Sequence, residues 1–421
     1  MLSMVGVMKN TKKIFALGAL VSLAVAGCSS SSSNSNATAT PALTGTVRIG
    51  VEAPITGDQA ETGKGMINGA QLAADQLNAK GGINGKKVVI VPIDDAADAV
   101  VGVKAATAAL KTGLDGVVGP YNSGAGAKTL PLYIDKDLVP IRLTSNSVTT
   151  GGLGYTLQPM DTQIVPAATE ALTKWKKAKT AVIVYDSTQL YTNSIDQSLS
   201  KSFQAAGVKL LANTAIQSVQ SYYKANESAA AKATADKAAA AAYASAVKAA
   251  AALKPDVIYV ATYSPEGGLI AKAVHDQKVT AACIADFGAD DPGFITSAGS
   301  TEAAQGCSVI GVPSPGEFLK GPAFVSQYKA AFGAEPGTWS PYVYDSLNLL
   351  ADAANKTGGF DKDKLTKELD ATKAWPGVTG AVTLEPKTGN RVPATLVVLD
   401  VTKDGEFAID RSWVTGVGAA Y

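Results

Sequence analysis

From Thr46 onward, short runs of β-branched and aliphatic residues alternate with longer segments whose apolar residues recur every three or four positions. "TVRIGVEAP", "KKVVIVPIDD", "DGVVGP" and "LVPIRLTS" read as strands, and "GKGMINGAQLAADQLNAKGG", "DAVVGVKAATAALKTG" and "SGAGAKTLPLYIDKD" as the helices between them. In the first helix Met66, Ala70, Ala73 and Leu77 share one face, and a Gly-Gly pair stops it. Such alternation predicts a parallel sheet with helices on both faces, because each crossover must pack back on the sheet. The pattern restarts after Asp161. "TQIVPAATEALTKWKKA" and "YTNSIDQSLSKSFQAAG" read as helices around the strand "KTAVIVYD", and "VKLLANTAI", "PDVIYVAT", "TAACIADFG" and "QGCSVIGVP" read as further strands. At 421 residues the chain is long enough for two such units. The predicted fold class is α/β, two doubly wound parallel-sheet lobes. Ligands of such sheets bind beyond the carboxyl ends of the strands, so a cleft is expected where the lobes face each other.

The first 45 residues follow a different logic. Lys9, Lys12 and Lys13 precede the apolar stretch "IFALGALVSLAVAG", which is short for a membrane span and ends in small residues before Cys28. This is the pattern of a secretory signal peptide over residues 1–27. Its end resembles the lipobox of bacterial lipoproteins, which implies a lipid on Cys28 as the mature N-terminus. Cleavage would remove three lysines and no acids, taking the net charge from +1 to −2. Residues 28–45, rich in Ser, Asn and Thr without a hydrophobic period, are expected to be a flexible tether. The expected location is extracytoplasmic, lipid-anchored to the membrane.

Charge and motifs exclude several functions. Thirty-seven basic residues nearly balance 36 acidic ones, so no basic excess points to nucleic acid. The one histidine, His275, lies mid-helix with no nucleophile arrangement around it, and neither a metal-ligand cluster nor a GK[ST] phosphate loop is visible. No enzyme activity, cofactor or metal is expected. Cys283 and Cys307 remain after Cys28, and outside the cytosol an even pair is expected to form a disulfide. The Ala-rich segment 225–254 keeps a stripe of Tyr243, Val247 and Ala250, predicting a surface helix without chemistry. Turn signals in "PKTGN" and "KDGE" make the tail read as an antiparallel ribbon.

Read in order, the stretches "RIGVEAPITGDQAETGKGMINGAQLAADQLNAKGGINGKKV", "GVVGPYNSGA", "PEGGLIAKA", "DDPGFITSAGSTEAAQG" and "SPYVYDSLNLLADA" resemble the type I periplasmic-binding-protein fold. The resemblance is to its leucine/isoleucine/valine-binding branch, the substrate-binding lipoproteins of branched-chain amino acid ABC transporters. It implies capture of a small amino acid-like ligand and delivery to a permease driven by ATPases, with the binding protein a monomer. It also implies three crossings between lobes. The first lobe would comprise 46–161 and 313–391, and the second 162–312 and 392–421, joined by a three-strand hinge. The same fold serves as the ligand-binding domain of signalling receptors, so a sensor is the alternative function.

The resemblance also assigns a site. In "GPYNSGAG" a helix start follows a strand end, where unpaired N–H groups and the helix dipole favour an anion. Ser123 takes the family position that contacts the ligand carboxylate, although Ser also caps helices for structural reasons. Ser145 and Ser147, in "RLTSNSVT", fall where the family contacts the ligand backbone, and the loop lacks the family's usual Pro. A buried ammonium needs a carboxylate beside it. Asp161 matches the family acid at the first crossing, with a helix-capping role as its competitor. A second acid usually follows the strand read here as "CIADFG". The ungapped match puts Phe287 at that place and Asp286 one residue away. Tyr191 and Tyr263 match family tyrosines of the second lobe, and Tyr121 is expected on the first lobe's side of the pocket or in its core.

Overall fold

In a computed structural model of the chain, residues 43–224 and 228–418 are described. The signal segment 1–27, Cys28 and the tether up to residue 42 lie outside the described residues.

Five parallel strands, β1 (Thr46–Ala53), β2 (Lys87–Asp94), β3 (Gly116–Val118), β4 (Pro140–Arg142) and β5 (Tyr155–Thr156), form the body of one sheet. Five more, β6 (Thr180–Asp186), β7 (Lys209–Ile216), β8 (Val257–Ala261), β9 (Ala282–Ala285) and β10 (Ser308–Gly311), form the body of a second. The sequence then supplies the hairpin β11 (Trp375–Gly377) and β12 (Gly380–Val382), followed by β13 (Leu384–Glu385), β14 (Asn390–Arg391), β15 (Val397–Val401) and β16 (Phe407–Ile409). The sheet orders are β13-β14-β5-β4-β3-β1-β2 and β16-β15-β10-β9-β8-β6-β7. In each sheet the first strand lies between the second and the third, so the order reverses beside β1 and beside β6. These are the switch points at which such sheets open a crevice. Central strands are buried on both faces, which is why they read as continuous apolar runs. All five residues of β8, "VIYVA", are buried.

Helices α1 (Ala60–Ala79), α2 (Ala99–Leu110), α3 (Ser123–Ile134) and the single turn α4 (Ser147–Thr150) belong to the first lobe. The second lobe carries α5 (Asp161–Glu170), α6 (Leu190–Ala205), α7 (Ala229–Ala252), α8 (Ser264–Asp276), α9 (Pro292–Ala298) and α10 (Thr301–Ala304). The chain returns to the first lobe for α11 (Gly321–Phe332), α12 (Ser340–Thr357) and α13 (Lys362–Asp370), and ends on the second with α14 (Arg411–Val417). No helix among the described residues is long and apolar enough to cross a membrane.

The tail is not one ribbon. Its two hairpins pair internally as their turns dictate, but β14 joins β5 in the first sheet and β15 joins β10 in the second. The chain therefore passes between the sheets three times: after β5, after β10 and after β14. Two buried arginines brace the first and third passages. Arg142 donates to Met160 Sδ at 3.3 Å and to Asn390 Oδ1 at 3.1 Å. Arg391 donates to the carbonyls of Leu157, Thr379 and Ala381 at 3.3, 2.7 and 3.1 Å.

Cys283, in β9, and Cys307, just before β10, form a disulfide across neighbouring parallel strands. Ser308 stands opposite Ile284, which places Cys307 opposite Cys283. The Ala-rich helix α7 is less inert than its composition indicates. Asp236 accepts from the Tyr223 hydroxyl at 2.5 Å, Lys232 lies 3.6 Å from the Tyr223 ring centre, and buried Tyr243 donates to Gln217 O at 2.7 Å.

Candidate functional site

The carboxyl ends of both sheets face one small cavity. From the first lobe it is lined by Tyr121, Ser123, Leu143, Ser145 and Gln158, all just beyond β3, β4 and β5. From the second it is lined by Tyr191, Tyr263, Phe287 and Gly288, beyond β6, β8 and β9. The empty space beside these side chains, part of it open to solvent, is about 210 Å³, but only about 10 Å³ admits the centre of a water molecule. The lobes are thus closed on each other, with room for about one water.

Local backbone chemistry explains how Tyr121 and Ser123 reach this point. Gly119 has φ +95°, and a Cβ there would stand 2.1 Å from Glu52 O. Only glycine lets the chain leave β3 so close to the end of β1. Asn122 follows in an extended conformation as the N-cap of α3, its amide donating to Gln59 Oε1 at 2.9 Å. Ser123 opens the helix. Its Oγ accepts the Asn146 N–H at 3.3 Å, which leaves the hydroxyl hydrogen free to donate. The Tyr263 hydroxyl, from the opposite lobe, rests beside the Asn122 side chain and the Ser123 N–H. In the closed form a neutral oxygen therefore already sits at the positive end of α3.

Ser145 is internally committed. It donates to Pro159 O at 2.9 Å and accepts from Gln158 Nε2 at 2.8 Å. Gln158 Nε2 also donates to Leu143 O, an acceptor that fixes which way the amide points. Its Oε1 is buried without a hydrogen-bond partner.

On the second lobe, Asp286 is fully buried and accepts from the hydroxyls of Tyr191 at 2.8 Å and Tyr259 at 2.5 Å. Burial raises its pKa, and the two phenols oppose that shift. The same burial, with the Asp286 charge beside it, pushes the Tyr191 phenol upward. The rings meet as walls rather than stacks. Tyr121 and Tyr263 have centres 5.8 Å apart and planes 59° apart, and Tyr191 and Tyr263 have centres 5.9 Å apart and planes 47° apart. Trp339, the N-cap of α12, braces this set from behind, 5.5 Å from Tyr121 and 5.2 Å from Phe287. A Cβ on Gly288 would stand 3.4 Å from atoms of both Tyr191 and Tyr263, so the wall is closely packed.

Five of the eight residues singled out from sequence, Tyr121, Ser123, Ser145, Tyr191 and Tyr263, line this cavity. Three do not. Ser147 is half-buried at the start of α4, and its N–H donates to Asp161 Oδ2 at 3.0 Å. Asp161 opens α5 and stands near the Arg142 guanidinium, whose burial lowers its pKa to about 10 while Asp161 opposes the drop. One Asp161 oxygen is therefore already used by a helix N-terminus. Asp286 sits behind Tyr191, and its neighbour Phe287 takes the wall. The backbone changes from extended at Asp286 to a short 3-10 turn over Phe287–Ala289, and Asp286 goes to the Tyr191 and Tyr259 hydroxyls while Phe287 faces the cleft. Gln158, Leu143, Gly288 and the bracing Trp339 were not anticipated. Gln158 alone carried a signal, a polar residue immediately before a proline at a strand end.

The family model for periplasmic binding proteins matches residues 46–406. The chain belongs to this family. Among periplasmic binding proteins, one relative is a Leu/Ile/Val-binding protein of Rhizobium johnstonii, 30% identical over 348 residues, covering 82% of this chain and 88% of the relative. That match places the chain in the Leu/Ile/Val-binding branch. Two solved periplasmic binding proteins share the fold. One is the leucine-binding protein LivK of Thermotoga maritima (TM-score 0.74, 23% identity, covering 86% of this chain and 97% of that one). The other is the branched-chain amino acid transporter substrate-binding protein LivJ of Streptococcus pneumoniae in complex with isoleucine (TM-score 0.72, 23% identity, covering 87% and 99%).

Proposed function

We propose that this protein is the extracytoplasmic substrate-binding lipoprotein of an ABC importer. It captures a small amino acid-like ligand, a branched-chain amino acid or a relative of one, by closing its lobes, and delivers it to the permease. The observation that carries this reading is the cavity itself. It lies at the switch points of both sheets and is walled by residues from both lobes, so a ligand there would be held by closure and freed by opening. The family and the names of its relatives support transport. Cys28 would supply the lipid anchor, and the permease with its ATPases would be the partners. Ser123 and the first N–H groups of α3 form the half of the wall suited to a carboxylate.

A thermal-shift screen over amino acids, small amides and short organic acids tests the reading. A true ligand at one hundred times its dissociation constant adds about 2.7 kcal/mol of stability. If no member of the panel raises the melting temperature, the reading fails.

A further inference from the structure

A cleft that closes on an amino acid must meet an anion with donors and an ammonium with acceptors. Ser123 and the first N–H groups of α3 supply the donors. Acceptors are scattered around the carboxyl ends of the sheets, where Gln158, Asp161 and Asp186 each keep one buried oxygen without a hydrogen-bond partner. Of all such oxygens among the described residues, only Gln158 Oε1 belongs to a residue that lines the cavity. Asp161 gives its other oxygen to the Ser147 N–H at 3.0 Å and stands near the Arg142 guanidinium. Asp186 holds the Thr188 N–H at 2.8 Å and the Thr188 hydroxyl at 2.6 Å on its other oxygen. Two nearby backbone carbonyls already accept: Leu143 O from Gln158 Nε2, and Ser145 O from the Asp161 N–H at 2.8 Å. The direction of the Gln158 amide is fixed. Turned over, it would set its oxygen against Leu143 O, two acceptors with no hydrogen between them. Ser145 holds the amide from its other side, accepting Nε2 at 2.8 Å and spending its own hydrogen on Pro159 O at 2.9 Å. An unpaired buried oxygen carries a desolvation cost that an incoming N–H removes, and an ammonium makes that bond charge-assisted.

We infer that Gln158 is a specificity-determining residue of the cleft: its Oε1 accepts an N–H of the primary ammonium of an α-amino acid whose carboxylate lies at Ser123. Ser145 is a positioning residue that acts through the Gln158 amide. The inference rests on the reading that this cavity receives an amino acid-like ligand, and it names the residue that tells such a ligand from the corresponding acid. Ser123 and Gln158 both belong to the first lobe, so both poles of the ligand are met on one surface, and closure adds the tyrosines of the second lobe.

The test is calorimetry on the full chain with two pairs of probes, leucine with 4-methylpentanoate and valine with 3-methylbutanoate, each acid being the amino acid without its ammonium. Should a different amino acid emerge from the thermal-shift screen, it and its deaminated counterpart form the pair. Gln158→Met keeps the length of the side chain and removes the acceptor. It should weaken the amino acid by about tenfold or more and change the acid less than about threefold, with a melting curve showing that the variant folds. If it does not fold, Gln158→Asn, which keeps a buried amide but draws its oxygen back by one methylene, is read by the same criterion. Equal losses for amino acid and acid would make Gln158 a packing residue and overturn the inference, as would an unchanged affinity for the amino acid. A loss specific to the amino acid in Asp161→Asn, with none in Gln158→Met, would give the role to Asp161 and overturn it too, while leaving the amino acid-like reading intact. If no amino acid, amide or acid binds the unaltered protein, the site reading falls and the inference with it.

Discussion

Removing the Cys283–Cys307 bond gives the most direct check on how the second lobe is held together. The bond joins positions 24 residues apart, and both cysteines are buried. Closing a loop of that length restricts the unfolded chain by about 3.5 kcal/mol at 25 °C. A Cys283→Ala/Cys307→Ala variant should lose about that much stability. The loss in melting temperature then reports which unit unfolds. With an unfolding entropy of about 2.1 cal/mol/K per residue, the whole body unfolding as one gives a drop of about 4 °C. If the second lobe melts alone, its smaller entropy roughly doubles the drop, to about 9 °C. Differential scanning calorimetry of the oxidised protein, the reduced protein and the double variant measures both quantities. A double variant that melts within 1 °C of the oxidised protein would refute the argument, because the loop constraint would then contribute nothing.

Stability should fall as pH rises from about 4 to 8. Burial raises Asp95 and Asp291 to about 7 and Asp290 to about 8, so over that window the folded state binds more protons than the unfolded one. Each group costs up to about 1.4 kcal/mol per pH unit until its folded pKa is passed. Urea melts at pH 5 and pH 8 should show the decline, and Asp290→Asn should make it shallower; higher stability at pH 8 would contradict the sign. Ser123→Ala removes a charge-assisted hydrogen bond and should weaken a carboxylate ligand by about 1.5–3 kcal/mol in calorimetry, whereas unchanged affinity would place the carboxylate elsewhere. Small-angle scattering should show a larger radius of gyration without ligand than with it, the saturated value matching the closed lobes; identical profiles would argue against hinge closure.

The two sheets were legible in the sequence because central strands buried on both faces leave uninterrupted apolar runs, as in β8. The tail was legible only in part. The turn at "PKTGN" determines that β13 pairs with β14, but nothing local determines that β14 then joins β5 rather than the second sheet. That choice rests on distant partners, Arg391 with Leu157 O and Asn390 with Arg142. The same limit applies to the site. Residues following strand ends are assigned to the cleft through the family resemblance, and Tyr121, Ser123, Ser145, Tyr191 and Tyr263 line it. Asp161 could not be placed, because its carboxylate is drawn to the Ser147 N–H across a loop. The choice between Asp286 and Phe287 depends on which of two adjacent side chains faces inward, and Tyr191 and Tyr259 settle it by bonding the aspartate from behind.

The splitting of the tail between the sheets has a consequence for biosynthesis. The first sheet lacks β13 and β14 until residue 391 has been made, and the second lacks β15 and β16 until residue 409. A growing chain therefore carries two unfinished sheet edges through most of its synthesis. Stop codons between residues 391 and 409 would strip strands from the second lobe after the first sheet is complete, whereas earlier stops would cripple both. Both sheets are therefore completed only when nearly the whole chain has been made.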